Sequence, residues 1–149
     1  MEKPESVKHA VLLWTTAVAA GVIETALAVS EVAKDSGIDS GVWTNVAIRS
    51  SIYIGALVLV GCFAAGRRWA RIALAALLSV IGLVSLVVEP VRLLADGASF
   101  IAAFGGDGEF AIAFFVVRML HIAAVLLATA LMFSRSANAY FRKPQPVTA

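Results

Sequence analysis

Residues 110–133 read FAIAFFVVRMLHIAAVLLATALMF, an apolar run broken by one charge, Arg118, and one imidazole, His121. A helix rises about 1.5 Å per residue, so a run of this length crosses a hydrocarbon core of about 30 Å. Backbone N–H and C=O groups in lipid must be satisfied within the protein, which leaves helices and closed barrels. The run lacks the alternation of a barrel strand, so it reads as a membrane helix. Residues three apart share a helix face. Arg118 and His121 therefore point the same way, and Ala124 and Ala128 continue that face. An ionised side chain at mid-bilayer costs at least about 2.5–3.5 kcal/mol, so the Arg118 face is expected to look into a bundle and away from lipid.

Three more such runs lie upstream, and together they set the composition. The chain of 149 residues is 60% hydrophobic and 15% charged, with a mean hydropathy of +0.90, whereas soluble domains carry about 25% charge. The runs fill about residues 10–30, 45–65, 72–94 and 110–133 and leave no room for a separate soluble domain. Residues 1–149 are thus expected to form one transmembrane domain, an all-α four-helix bundle. Trp14 reads as an interfacial anchor of the first run. A secretory signal peptide is the rival reading there, with Lys3 and Lys8 ahead of the run and Ala26-Leu27-Ala28 as a cleavage site. Glu24 interrupts the apolar region before that site and counts against cleavage. In the second run Gly55, Gly61 and Ala65 are small enough to admit a neighbouring helix. In the third, Ala75, Ser79, Gly82, Ser85 and Glu89 recur at helical spacing as a small-residue seam ending at an acid, and Pro90 is expected to kink or loosen the helix. Residues 100–104 are read as dipping into the interface. The tail, with Arg135, Arg142 and Lys143 beside Tyr140 and Phe141, reads either as a segment drawn to anionic lipid, at about 1 kcal/mol per basic residue, or as a plain solvated tail.

Basic residues stay on the cytoplasmic side of a membrane. The N-terminus, the turn at residues 66–71 (GRRWAR) and the tail hold eight of the twelve Lys and Arg residues. The other two loops hold only Lys34, alongside Glu31, Asp35, Asp39, Asp96, Asp107 and Glu109. Both termini are therefore expected in the cytoplasm, with the protein in the cell membrane. The net charge of +2 and a pI near 9.0 follow from those basic segments and give no argument for nucleic acid binding.

With this orientation, depth along each helix can be read off. Arg118 lies about 12 Å and His121 about 16 Å below the outer end of the last run, and Glu24, Arg49, Glu89 and Arg92 fall within about 10 Å of the outer boundary. All six ionisable residues of the spans thus gather in the outer half. Arg49 and Arg92 can snorkel to the surface; Glu24, Arg118 and His121 are too deep to do so easily. Glu24 with Arg118, and Glu89 with Arg49 or Arg92, are the expected pairs. Such pairs hold membrane helices in register, at about 0.6–2 kcal/mol each. The same six residues can instead line a polar cavity open to the outer face, where three arginines against two glutamates suit an anion such as a lipid headgroup or a carboxylate.

Other chemistry finds little support. Haem in helical bundles takes histidines from facing helices, and the second histidine, His9, lies toward the opposite face. No second imidazole or thiol joins His121 and the glutamates as a metal set. The single cysteine, Cys62, excludes an internal disulfide and any C-x-x-C motif. No serine, threonine or cysteine has a base at a motif spacing, and carboxylates paired with arginine stay ionised and unreactive. No enzyme activity, cofactor or metal is expected. An imidazole within the polar cluster does suit a proton relay.

The opening Lys3-Pro4-Glu5-Ser6-Val7 before a Trp-bearing span, and the GRRWAR turn before the third span, resemble small four-span integral membrane proteins of actinobacterial type. That resemblance implies a four-helix membrane bundle and brings no active site to carry over. The favoured expectation is a non-enzymatic accessory or structural subunit, self-associating or joined to a larger membrane complex, packed through Gly55, Gly61, Ser79 and Gly82. The alternative is a carrier or binding protein for an anionic or lipid-like ligand, held by Glu24, Arg49, Glu89, Arg92, Arg118 and His121.

Overall fold

The computed structural model describes residues 3–142, all helix and connecting turns among these residues. Four long helices, α1 (Glu5–Asp35), α2 (Ser40–Ala64), α3 (Arg68–Ala95) and α5 (Ala111–Met132), are long and apolar enough to cross a membrane. Two short ones, α4 (Phe100–Gly105) and α6 (Arg135–Arg142), lie at opposite ends of the bundle. The long helices overrun the apolar runs. Pro4 stands just before α1, where its fixed φ and missing N–H suit a helix start, and the polar residues after it propagate the helix inward. Asp39 caps α2 by accepting from the Val42 N–H at 2.9 Å, so the loop expected over residues 31–44 shrinks to a few residues.

The N-terminus, the α2–α3 turn and α6 share one end, here the terminal end. Ser6 and Ser136 pair there through their hydroxyls at 2.8 Å. Gly66 makes the α2–α3 turn with φ +78°, a conformation that suits glycine. At the other end, here the loop end, Lys34 pairs with Glu109 and lies over the Phe110 ring. There α4 folds back on α5. Gly105 permits this approach, since a Cβ on it would stand 2.3 Å from the Ala111 carbonyl oxygen. Ala103 and Phe104 are buried there, whereas Phe100, which meets Phe104 and Phe115, and Ile101 keep about half of their surface exposed.

The helices α1 and α5 form the central pair. Ala17, Ala20 and Gly21 on α1 and Ala124 and Ala128 on α5 are buried, and small residues let helix backbones approach closely. The apolar core lies toward the terminal end, around Trp14, Phe63, Leu74 and Met132, all fully buried. Trp14 is therefore a core residue and not the interfacial anchor expected from its place near a helix start; Trp43 and Trp69, more than half exposed, suit that role. The tail expectation also changes. Tyr140 and Phe141 are buried, and Phe141 packs on Phe63 with ring centroids 5.2 Å apart. Arg71 lies over the Phe133 and Phe141 rings and donates to the Asn138 side chain. Arg68 donates to the carbonyls of Phe141 and Arg142, closing the C-terminal end of α6. Lys143 lies outside the described residues.

The middle of α3, Ala75–Gly82, is π-helical. Bonding from i to i+5 takes up an extra residue and so shifts the facing of the residues downstream relative to a regular helix. Ser79 still packs inward, its hydroxyl 2.7 Å from that of Thr129 on α5, whereas Ser85 and Glu89 are exposed. Gly55 and Gly61 have no atom of the described residues within 4 Å of where a Cβ would stand. Both positions on α2 are exposed, so no helix of the described residues packs on them.

Candidate functional site

Glu24 is the one buried charged residue among those described, 4% exposed. Its Oε2 accepts from Arg118 Nη2 at 3.2 Å and its Oε1 pairs with His121 Nδ1 at 3.1 Å. Spacing places this contact. Arg118 and His121 sit three residues apart on the α5 face that packs on α1, so one carboxylate meets both. The Arg118 guanidinium also lies 4.7 Å from the Phe114 ring centroid, a cation–π contact that helps to hold a charge away from water.

A turn toward the terminal end, Gly21 completes the crossing of three helices. The Tyr53 hydroxyl on α2 donates to the Gly21 carbonyl at 2.7 Å and lies 2.7 Å from Thr25 Oγ1. A Cβ at Gly21 would stand 2.9 Å from Tyr53 Cε1 and 3.3 Å from His121 Cε1, so α2 and α5 close on α1 only where a side chain is missing.

Beside this crossing lies a cavity of about 370 Å³ bounded by α1, α2, α3 and α5. It exists because α2 packs on the opening of α3, at Arg68–Leu74, and makes little contact with the rest of that helix. Toward the terminal end its walls are Trp14, Ala17, Ala56, Leu78 and Val125. At mid-depth Glu24, Tyr53 and His121 border it, and toward the loop end Asn45, Arg49 and Ser85 do. Arg49 is exposed, and its Nε donates to Asn45 Oδ1 at 2.8 Å, one turn away. At the inner end the indole Nε1 of Trp14 is buried without an acceptor among the described residues. The lining is thus apolar at one end and polar at the other, in the size range of small-molecule sites, about 300–1,000 Å³.

Comparison with protein-family models, curated proteins and solved structures finds no match for this chain. The site must therefore be read from its own residues.

Of the six ionisable residues expected to converge, the cavity gathers three, Glu24, Arg49 and His121. Arg118 stands behind Glu24 and holds it without lining the cavity. Glu89 and Arg92 are exposed on α3, and neither forms an ion pair among the described residues, so the expected pairing of Glu89 with Arg49 or Arg92 does not form. Sequence reasoning missed Asn45, Tyr53 and Gly21. Asn45, Arg49 and Tyr53 recur every four residues, a polar stripe on one face of an otherwise apolar helix, and that periodicity was the available signal. No group of three His, Cys, Asp or Glu side chains converges as a metal set among the described residues.

Proposed function

We propose that this protein is a multi-pass protein of the cell membrane, both termini cytoplasmic, which binds an anionic, lipid-like ligand and acts without catalysis. The observation that carries the reading is the cavity, with aliphatic walls toward one end and Arg49, Asn45 and His121 toward the other. An amphiphile fits this polarity, its chain toward Trp14 and its head toward the loop end. Access runs between α2 and α3, where the helices part, so the ligand enters sideways from the outer leaflet. Orientation rests on charge: the terminal end carries Lys8, Arg67, Arg68, Arg71, Arg135 and Arg142, and the loop end carries Lys34 among acids.

The test is native mass spectrometry of protein gently extracted from its own membrane, with Arg49→Gln and the cavity-filling Ala56→Phe for comparison. A co-purifying amphiphile, depleted in both variants, supports the reading. A bare protein, or an adduct equally abundant in all three, overturns it. A second reading, an accessory subunit that self-associates or joins a larger complex, is favoured by the open α2 face with Gly55 and Gly61. A stable protein partner in the same spectra, retained by Ala56→Phe and lost on enlarging Gly55, supports that reading instead.

A further inference from the structure

Charge balance around Glu24 bears on His121. Glu24 and Arg118 pair at 3.2 Å with side chains 4% and 21% exposed, and together they carry no net charge. A further uncompensated charge at this depth is costly, which favours a neutral imidazole at His121 until an anion arrives to compensate it. A neutral imidazole has one N–H, and the partner of one nitrogen decides the state of the other. Nδ1 lies 3.1 Å from a Glu24 oxygen, and a carboxylate only accepts. The proton is therefore on Nδ1, and Nε2 carries a bare lone pair.

No group among the described residues satisfies that lone pair. His121 borders the cavity, and its Nε2 makes no hydrogen bond among the described residues. The charged and polar groups close to His121 are engaged elsewhere, the Arg49 guanidinium lies at the rim, and the Trp14 indole N–H lies at the far, terminal end. From α1, Glu24 is the acceptor for Nδ1. From α2, the Tyr53 hydroxyl donates to the Gly21 carbonyl, and Arg49 is held at the rim by Asn45. From α3, Ser85 donates to the Gly82 carbonyl. On α5 itself, Arg118 is turned to Glu24. The open requirement is for a proton donor supplied from the cavity.

We infer that the cavity takes a long-chain carboxylic acid, bound in its protonated form from the membrane. The acid's O–H bond breaks as its proton passes to Nε2, leaving a carboxylate against an imidazolium, with no change in total charge. Glu24 stabilises the imidazolium through Nδ1, and the chain lies along Val18, Ile52, Leu78 and Val125. The inference rests on the reading of the cavity as an amphiphile site and narrows it to weak acids. An alkyl sulfate brings its charge without a proton, and a fatty alcohol donates a hydrogen bond but does not ionise, so both bind less well.

The experiment titrates purified protein in lipid nanodiscs with dodecanoic acid labelled isotopically at its carboxyl carbon, with dodecyl sulfate and dodecanol alongside. His121→Asn keeps an amide N–H for Glu24 and lacks Nε2. The expected result is preferred binding of the acid by the wild type, a loss of about tenfold or more in His121→Asn, and unchanged sulfate binding. In the wild type the bound carboxyl carbon should resonate as carboxylate at a pH where the lipid-dissolved acid is protonated. Read together with the ring nitrogen shifts of His121, which should move to those of an imidazolium when the acid binds and stay put if Arg49 alone holds it, that readout needs no variant and decides the matter even if His121→Asn fails to fold. A bound acid that stays protonated, or equal affinity in His121→Asn, overturns the inference. Sulfate binding as tight as acid binding overturns it too but leaves the amphiphile cavity standing through Arg49. Failure of all three probes to bind overturns the cavity reading with it.

Discussion

Glu24 is the single acceptor for two donors from another helix, and its removal leaves both stranded. Breaking a buried pair by deleting one partner costs about 3–5 kcal/mol, because the other charge stays buried and uncompensated. Glu24→Gln should therefore lower the thermal unfolding midpoint in mild detergent far more than Arg49→Gln, whose side chain is exposed. Charge reversal sharpens the test. Glu24→Arg with Arg118→Glu restores an ion pair but offers His121 Nδ1 no acceptor at its old position. The double variant should recover part of the loss seen in either single reversal; recovery of none would mean the pair does not hold the bundle. Glycines divide along similar lines. Gly21→Ala forces a methyl group against Tyr53 and His121 and should cost about 1–3 kcal/mol. Gly55→Ala meets nothing and should be neutral or gain up to about 1 kcal/mol from helix propensity, read in the same melts. These pairs also mark what was legible in the sequence. An ionisable residue inside an apolar run announces its depth, so Glu24 and Arg118 could be matched by level. The direction a residue faces around its helix is not announced, because it depends on where neighbouring helices lie. Glu89 and Arg92 share the depth of the cluster and point away from it, and Trp14 sits where an anchor would sit and points inward.

Among the helices, α3 departs most from what its residues suggest. Its apolar run and small residues read as a regular helix with a disturbance at Pro90, yet the π-helical stretch lies upstream, at Ala75–Gly82. A π turn holds one residue more than the α turn it replaces; propensity does not reveal it, since the same residues would form an α-helix. Its effect is on direction. Leu78 and Gly82 line the cavity, as do Ser85 and Leu86 beyond them. Inserting one alanine after Leu86, beyond the π-helical stretch, adds a residue to regular α-helix and should turn the rest of α3 by roughly 100°. Helix content by circular dichroism should be unchanged, while any co-purifying amphiphile is reduced. Retention of the ligand at the wild-type level would show that the loop-end part of α3 does not position it. The short α6 carries the same lesson in simpler form. Eight residues with Arg135 and Arg142 at their ends read as a surface segment, and only the placement of Phe63 and Arg71 on other helices makes Tyr140 and Phe141 core residues.

At the scale of the whole molecule, the fold sorts charge by end before any membrane is considered. Four long helices, the first beginning and the last finishing at one end, put the α2–α3 turn at that end too, and Arg68 and Arg71 of that turn bind α6. Part of the basic charge that argues for a cytoplasmic terminal end is thus also structural, which makes orientation worth testing directly. The chain has one cysteine, Cys62, half-buried near the α2–α3 turn, so a Cys62→Ser background is free of competing thiols. Single cysteines at Gly37 or Asp107 stand at the loop end, and one at Ser6 stands at the terminal end. A membrane-impermeant maleimide added to intact cells should label the first two and spare the third, and opening the cells should expose all three. The inverse pattern would place the loop end inside, and the opening between α2 and α3 would then face the inner leaflet. The ligand would have to come from the cytoplasmic leaflet, with Arg49 near that surface, and a carboxylic acid would reach His121 from the inner leaflet rather than the outer. Labelling therefore decides the route of any ligand as well as the topology.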